Sequence, residues 1–83
     1  MKLDELPWRP SGEVREHART RLSRSVTLEV WRGPDGRYSI HVLRRGRDDQ
    51  KWASLDSVAA QCAIDNIVRQ YTWLGWIKRK ISG

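Results

Sequence analysis

Residues 26–42, VTLEVWRGPDGRYSIHV, decide the fold. Val26, Leu28 and Val30 alternate with Thr27, Glu29 and Trp31, and Tyr38, Ile40 and Val42 alternate with Ser39, His41 and Leu43. A period of two belongs to strands with one buried and one outward face. Between the two runs lies Gly33-Pro34-Asp35-Gly36. Proline suits the first central position of a type I turn, Asp35 the second, and Gly36 the left-handed position that completes a three-residue hairpin loop. Such a loop pairs Gly33 with Arg37, and therefore Val30 with Ile40 and Leu28 with Val42. The hydrophobic pattern demands the same register by an independent route. It also sets Glu29 opposite His41, with Trp31 beside Ser39, on the second face. The expected hairpin spans Arg24 to Arg45.

Downstream, Arg44 to Gln50 reads as a charged turn, and Gln50 to Ala53 as a short third strand if it pairs at all. Ser54 to Ile81 reads as a long helix, capped by Ser54, with Asp56 in its first turn and Lys78, Arg79 and Lys80 in its last. It carries two apolar stripes at three- and four-residue spacing. One contains Leu55, Val58, Ala59, Cys62 and Ala63, and the other Ala60, Ile64, Ile67, Val68 and Tyr71. The helix either continues past Thr72 to Gly75 or breaks there and folds its Trp73–Trp76 end back. Since a hairpin covers one stripe, the expectation is a dimer or partner contact through Ile64, Ile67, Val68 and Tyr71, joined by Trp73 and Trp76.

Upstream, Pro7 and Pro10 break residues 1–10 into an arm, with Trp8 as its anchor. Ser11 to Leu22 reads as a short helix, because Val14, Ala18 and Leu22 are four apart. The expected architecture is a small single-domain α+β fold over residues 11–83. It has an N-terminal helix, an antiparallel hairpin with or without a third strand, and a long C-terminal helix, continuous or broken near Gly75.

Composition narrows the function. Hydrophobic residues make up 39% and charged residues 31%, which is globular rather than disordered. The lone cysteine, Cys62, excludes an internal disulfide and a cysteine-built metal site, and points to a reducing compartment. No apolar run nears the length of a membrane span and the N-terminus has no secretory pattern, so a cytoplasmic location is expected. His17, His41 and Cys62 fall singly, without metal-ligand or nucleophile spacing. Neither an enzyme nor a cofactor is expected.

The net charge is +6, and its excess lies in the middle: residues 14–53 hold ten basic and five acidic side chains. Twelve of the sixteen basic residues are arginine, which suits bidentate contact with phosphate or carboxylate. Arg44, Arg45, Arg47 and Lys51 cluster at one end of the hairpin. With Arg15, Arg19, Lys78, Arg79 and Lys80 they form the candidate nucleic-acid surface. Five tryptophans, a residue enriched at interfaces, add stacking surfaces.

Gly36-Arg37-Tyr38-Ser39-Ile40-His41-Val42, then Lys51-Trp52 and Leu55-Asp56 leading into an alanine-bearing helix, resembles the last strands and helix of AP2-like DNA-binding domains. Integrase arm-binding domains share that shape. The likeness covers roughly residues 25–65, with spacing after Trp52 one residue short of the plant pattern. It implies that the outer sheet face, with Thr27, Glu29, Trp31, Ser39 and His41, meets DNA.

The chain therefore reads as a small basic module that binds nucleic acid through an Arg-rich surface. The alternative is a bacteriophage or mobile-element accessory protein, of the anti-CRISPR kind, that inhibits a host complex by covering part of its surface.

Overall fold

The computed structural model describes the backbone of residues 1–12 and 15–82, and side chains among these as far as Tyr71. After a 3-10 turn (Leu3–Glu5), the described chain forms five strands and a helix: β1 (Arg9–Ser11), β2 (Arg15–Arg21), β3 (Val26–Arg32), β4 (Tyr38–Arg44), β5 (Arg47–Leu55) and α1 (Ser57–Ser82). The strands make an antiparallel meander in chain order. The architecture is α+β, with all the strands before the helix.

The central hairpin has the register that its turn and its pattern require. Val30 pairs with Ile40, Leu28 with Val42, Glu29 with His41 and Trp31 with Ser39. The Gly33 N–H donates to the Arg37 carbonyl at 2.9 Å, and Gly36 takes φ 76°. Asp35 Oδ1 accepts from the Arg37 N–H at 3.0 Å, the local bond that favours aspartate in turns.

The charged stretch after β4 is tighter than expected. Arg44 pairs with Arg47 across a two-residue turn in which Arg45 has φ 55° and Gly46 has φ 78°. Two positive φ values make this a type I′ turn, whose twist matches the flanking strands. The third strand is therefore certain and long, Arg47–Leu55 rather than Gln50–Ala53.

Ser11 to Leu22 is not a helix. Its residues finish β1 and supply β2, which pairs with β3 from Glu16↔Arg32 to Arg21↔Thr27. A lone helix with so thin an apolar stripe buries little. As a strand, the same segment satisfies the backbone groups along the free edge of β3 and buries Ala18 to 2% exposure. Glu13 and Val14, within the expected helix, lie outside the described residues.

α1 and the arm cover one face of the sheet. Ala60, Ile64, Ile67 and Tyr71 are buried with Leu3, Leu6, Ala18, Val26, Leu28, Val30, Tyr38, Ile40 and Val42, and Val68 packs against them. Ile64, Ile67, Val68 and Tyr71, expected at a partner contact, pack against the chain's own sheet. Burial scales with apolar area, so the sheet takes the stripe with two isoleucines rather than the stripe of alanines and Cys62. Of the other stripe, Val58 (72% exposed) and Cys62 face outward, while Leu55 and Ala63 pack at the margin of the core.

The helix starts two residues later than read, on a different cap. Asp56 Oδ1 accepts from the Ala59 N–H at 2.7 Å, whereas Ser54 lies within β5 at φ 58°. The backbone stays helical through Gly75 to Ser82 without a break. One glycine costs a helix only about 1 kcal/mol. At ~1.5 Å per residue the 26-residue helix is about 39 Å long, in a molecule whose longest extent is 47 Å. The arm is strapped to it: Gln61 Oε1 accepts from the Leu3 N–H at 2.7 Å, and Gln61 Nε2 donates to the Met1 carbonyl at 2.8 Å. Trp8 Nε1 donates to the Leu3 carbonyl at 2.9 Å, and the Arg32 guanidinium lies 4.6 Å from the indole centroid.

Three substitutions test this description by thermal melting. Asp56→Ala is expected to remove about 1 kcal/mol, a fall in Tm of roughly 4–8 °C, while Ser54→Gly causes no loss. Arg45→Asn is expected to raise stability by roughly 0.5 kcal/mol, because asparagine tolerates the left-handed conformation that arginine adopts at a cost.

Candidate functional site

Among the described residues no element covers the face of the sheet turned away from α1, and strand alternation determines what it displays. From β2 come Arg15, His17, Arg19 and Arg21; from β3, Thr27, Glu29 and Trp31; from β4, Ser39, His41 and Leu43; and from β5, Lys51 and Asp48. Trp31 is its central feature. Its ring centroid lies 4.9 Å from that of His17 at an interplanar angle of 32°, and 6.1 Å from that of His41 at 36°. Three rings on three adjacent strands thus form one tilted row.

Concavities flank this row. One of about 430 Å³ touches Trp31, Ser39, Arg15, Arg37 and the β3–β4 turn. A second, of about 350 Å³, touches Trp31, Ser39, His41, Lys51 and Trp52. Trp31 and Ser39 line both, so the two adjoin.

Charge is arranged around the rings. Glu29 Oε1 lies 3.6 Å from Arg19 Nε, and Glu29 Oε2 lies 3.8 Å from His17 Nε2, both longer than hydrogen bonds. Asp48 contacts His41 Nε2 at 2.6 Å and Lys51 Nζ at 3.1 Å. The hydrogen bond from Lys51 holds the Asp48 carboxyl below its ordinary range; partial burial opposes this, and the nearby His41 adds to it. Arg15 and Arg21 face no carboxylate among the described residues. Four cations (Arg15, Arg19, Arg21, Lys51) against two carboxylates (Glu29, Asp48) leave the face at +2 with neutral histidines.

The basic residues singled out in the sequence divide in space. Arg15, Arg19 and Lys51 share the open face. Arg44 and Arg47 pair with each other in line with buried Val26, and so lie on the helix side of the sheet, with Arg45 at the turn tip. With Asp48 and Asp49 they line a concavity of about 660 Å³. Among the described residues its lining has three cations and two carboxylates but no aromatic ring. The side chains of Lys78, Arg79, Lys80, Trp73 and Trp76 lie outside the described residues. Strand pairing brings His17 and Arg21 onto this face beside Trp31, a juxtaposition that the helical reading of Ser11 to Leu22 did not make.

Compared with models of known protein families, with curated proteins and with solved structures, the chain matches none. Among the described residues no helix is long and apolar enough to cross a membrane. Function is therefore argued from the face itself.

Beside the Arg44–Arg47 turn, the sheet is tied to the helix through Tyr71. Its hydroxyl donates to Asp49 Oδ2 and accepts from Gln50 Nε2 at 3.1 Å. Burial first, and then the Asp49 carboxylate, push the phenol above its ordinary value of 10.0. The folded state thus keeps the proton longer than the unfolded chain. Its contribution is full below pH ~10 and is lost as pH rises through the folded value. Tyr71→Phe is expected to cost about 1 kcal/mol at neutral pH and to make the alkaline loss of stability shallower, as read by urea unfolding between pH 7 and 11.

Proposed function

We propose that the protein binds nucleic acid through the open face of its sheet, without catalysis. The observation that carries this reading is the row of Trp31, His17 and His41 bordered by Arg15, Arg19 and Arg21 along β2 and by Lys51 on β5. Aromatic rings beside a line of cations suit a polyanion that also carries flat bases. A sheet face that served only to meet water would have little use for a central tryptophan. The Arg44-Arg45-Arg47 turn, with Arg44 and Arg47 on the helix side of the sheet, is the competing contact for a polyanion.

Salt titration of binding to labelled oligonucleotides tests the reading. With three or four phosphates neutralised, log affinity is expected to fall with log salt at a slope of roughly −2 to −4. Arg15→Ala with Arg21→Ala removes two cations that hold no carboxylate. This pair is expected to weaken binding and flatten the slope by roughly 1.5 to 2, with the fold intact. If instead Arg44, Arg45 and Arg47 changed together to alanine abolish binding and the β2 pair does not, the interface lies at the turn. No binding at low salt would refute the reading and favour an acidic protein surface as the partner.

A further inference from the structure

We infer that the open face takes a single strand, DNA or RNA, with an unpaired base stacked on Trp31; this rests on reading that face as the nucleic-acid interface. Three features separate a single strand from a duplex.

The first is the ring row. In a duplex the flat faces of the bases are covered by their neighbours, and only edges and phosphates are presented to a protein. Trp31 and its flanking histidines set three partly exposed rings across three adjacent strands. An unpaired base can lie on these rings, and stacking of this kind tolerates any base.

The second is the one-sided charge. Arg15, Arg19 and Arg21 stand on β2, with same-face neighbours roughly 6.8 Å apart along a strand. The far side offers Lys51, which Asp48 already engages at 3.1 Å. One line of cations matches one phosphate backbone. A duplex laid on the sheet would bring its second backbone against Asp48.

The third is Glu29, beside Trp31 in the middle of the face. Its carboxylate would repel a phosphate placed there. Arg19 and His17 stand at 3.6 and 3.8 Å, beyond hydrogen-bond distance, so the Glu29 oxygens keep the capacity to accept from the amino or imino groups of a base. The centre of the face is thus built for a base, with the phosphates held at the β2 rim.

The test is a fluorescence-anisotropy comparison of the full chain with labelled single-stranded DNA, single-stranded RNA and the matching duplex at one low salt concentration. Either single strand is expected to bind at least about tenfold more tightly than the duplex, and the two arms show which sugar is preferred. Trp31→Leu is expected to weaken single-strand binding by about 5- to 150-fold and to leave duplex binding unchanged, while Trp31→Phe keeps most of the affinity. Thermal melts of both variants check the fold. If Trp31→Leu does not fold, the wild-type Trp31 indole N–H resonance, assigned by its absence from Trp31→Phe, reads the stacking directly and is expected to shift with the single strand. Duplex binding equal to or tighter than single-strand binding, still dependent on Arg15 and Arg21, would overturn this inference and leave the open-face reading standing. An unmoved Trp31 resonance at saturation would overturn it as well. Failure to bind any of the three would overturn both.

Discussion

The rest of the structure depends on the packing of Val30 with Ile40 and Leu28 with Val42 beneath Ile64 and Ile67. These six side chains are at most 1% exposed. Each fully buried side chain of this size is worth ~1.5–3 kcal/mol, a large share of the net stability of so short a chain. The register of the hairpin is therefore not negotiable. A slip of one residue would bring Thr27, Glu29 and His41 under the helix and turn the apolar row into water. Because α1 and the arm are committed to one side, the other side of the sheet must be stable while uncovered.

That asymmetry explains the surface chemistry. The open face carries threonine, serine, histidines and ion pairs, which keep a sheet soluble, and the edges are managed separately. On one side, β1 is three residues long and contains Pro10, which offers no N–H to a further strand. On the other, β5 interleaves Arg47, Asp48, Asp49 and Lys51 along its length. Leu43 and Trp31 are the exceptions on the open face, and Trp31 gains part of its shelter from the two histidines beside it rather than from a covering element.

The hairpin was legible because two independent signals converge on one register, the Pro34-Asp35-Gly36 loop and the period-two pattern. The position of α1 was legible from its length and periodicity, but its buried stripe was not. Both stripes have helical spacing, and only the shape of the sheet decides which is covered. The five-stranded extent was hidden for a different reason. Of the inward residues Glu16, Ala18 and Thr20 of β2, only Ala18 is apolar, and Glu16 is neutralised by Arg32 across the pair. A strand whose inward side is mostly polar has no period-two hydrophobic signal, while Val14, Ala18 and Leu22 mimic a helical one. The candidate face suffered from the same error. Its β3 and β4 residues were placed together by the hairpin register, but Arg21 and His17 join it only through the pairing of β2 with β3, a tertiary event that local propensity does not encode.

The two carboxylates on the open face bear on how it can work. Glu29 and Asp48 offset the mutual repulsion of Arg19, Lys51 and any protonated histidine in the free protein, which lets so many cations share one sheet face. A phosphate arriving near Arg19 or Lys51 must compete with a carboxylate already in place, so these two contribute less to the gain on binding than their charge suggests. Arg15 and Arg21 have no such competitor among the described residues, and their counterions are free to be released. The electrostatic part of binding is thereby confined to one rim, and the centre is left to stacking and hydrogen bonds. A face organised in this way holds a charged backbone at its edge and places bases, rather than phosphates, over Trp31.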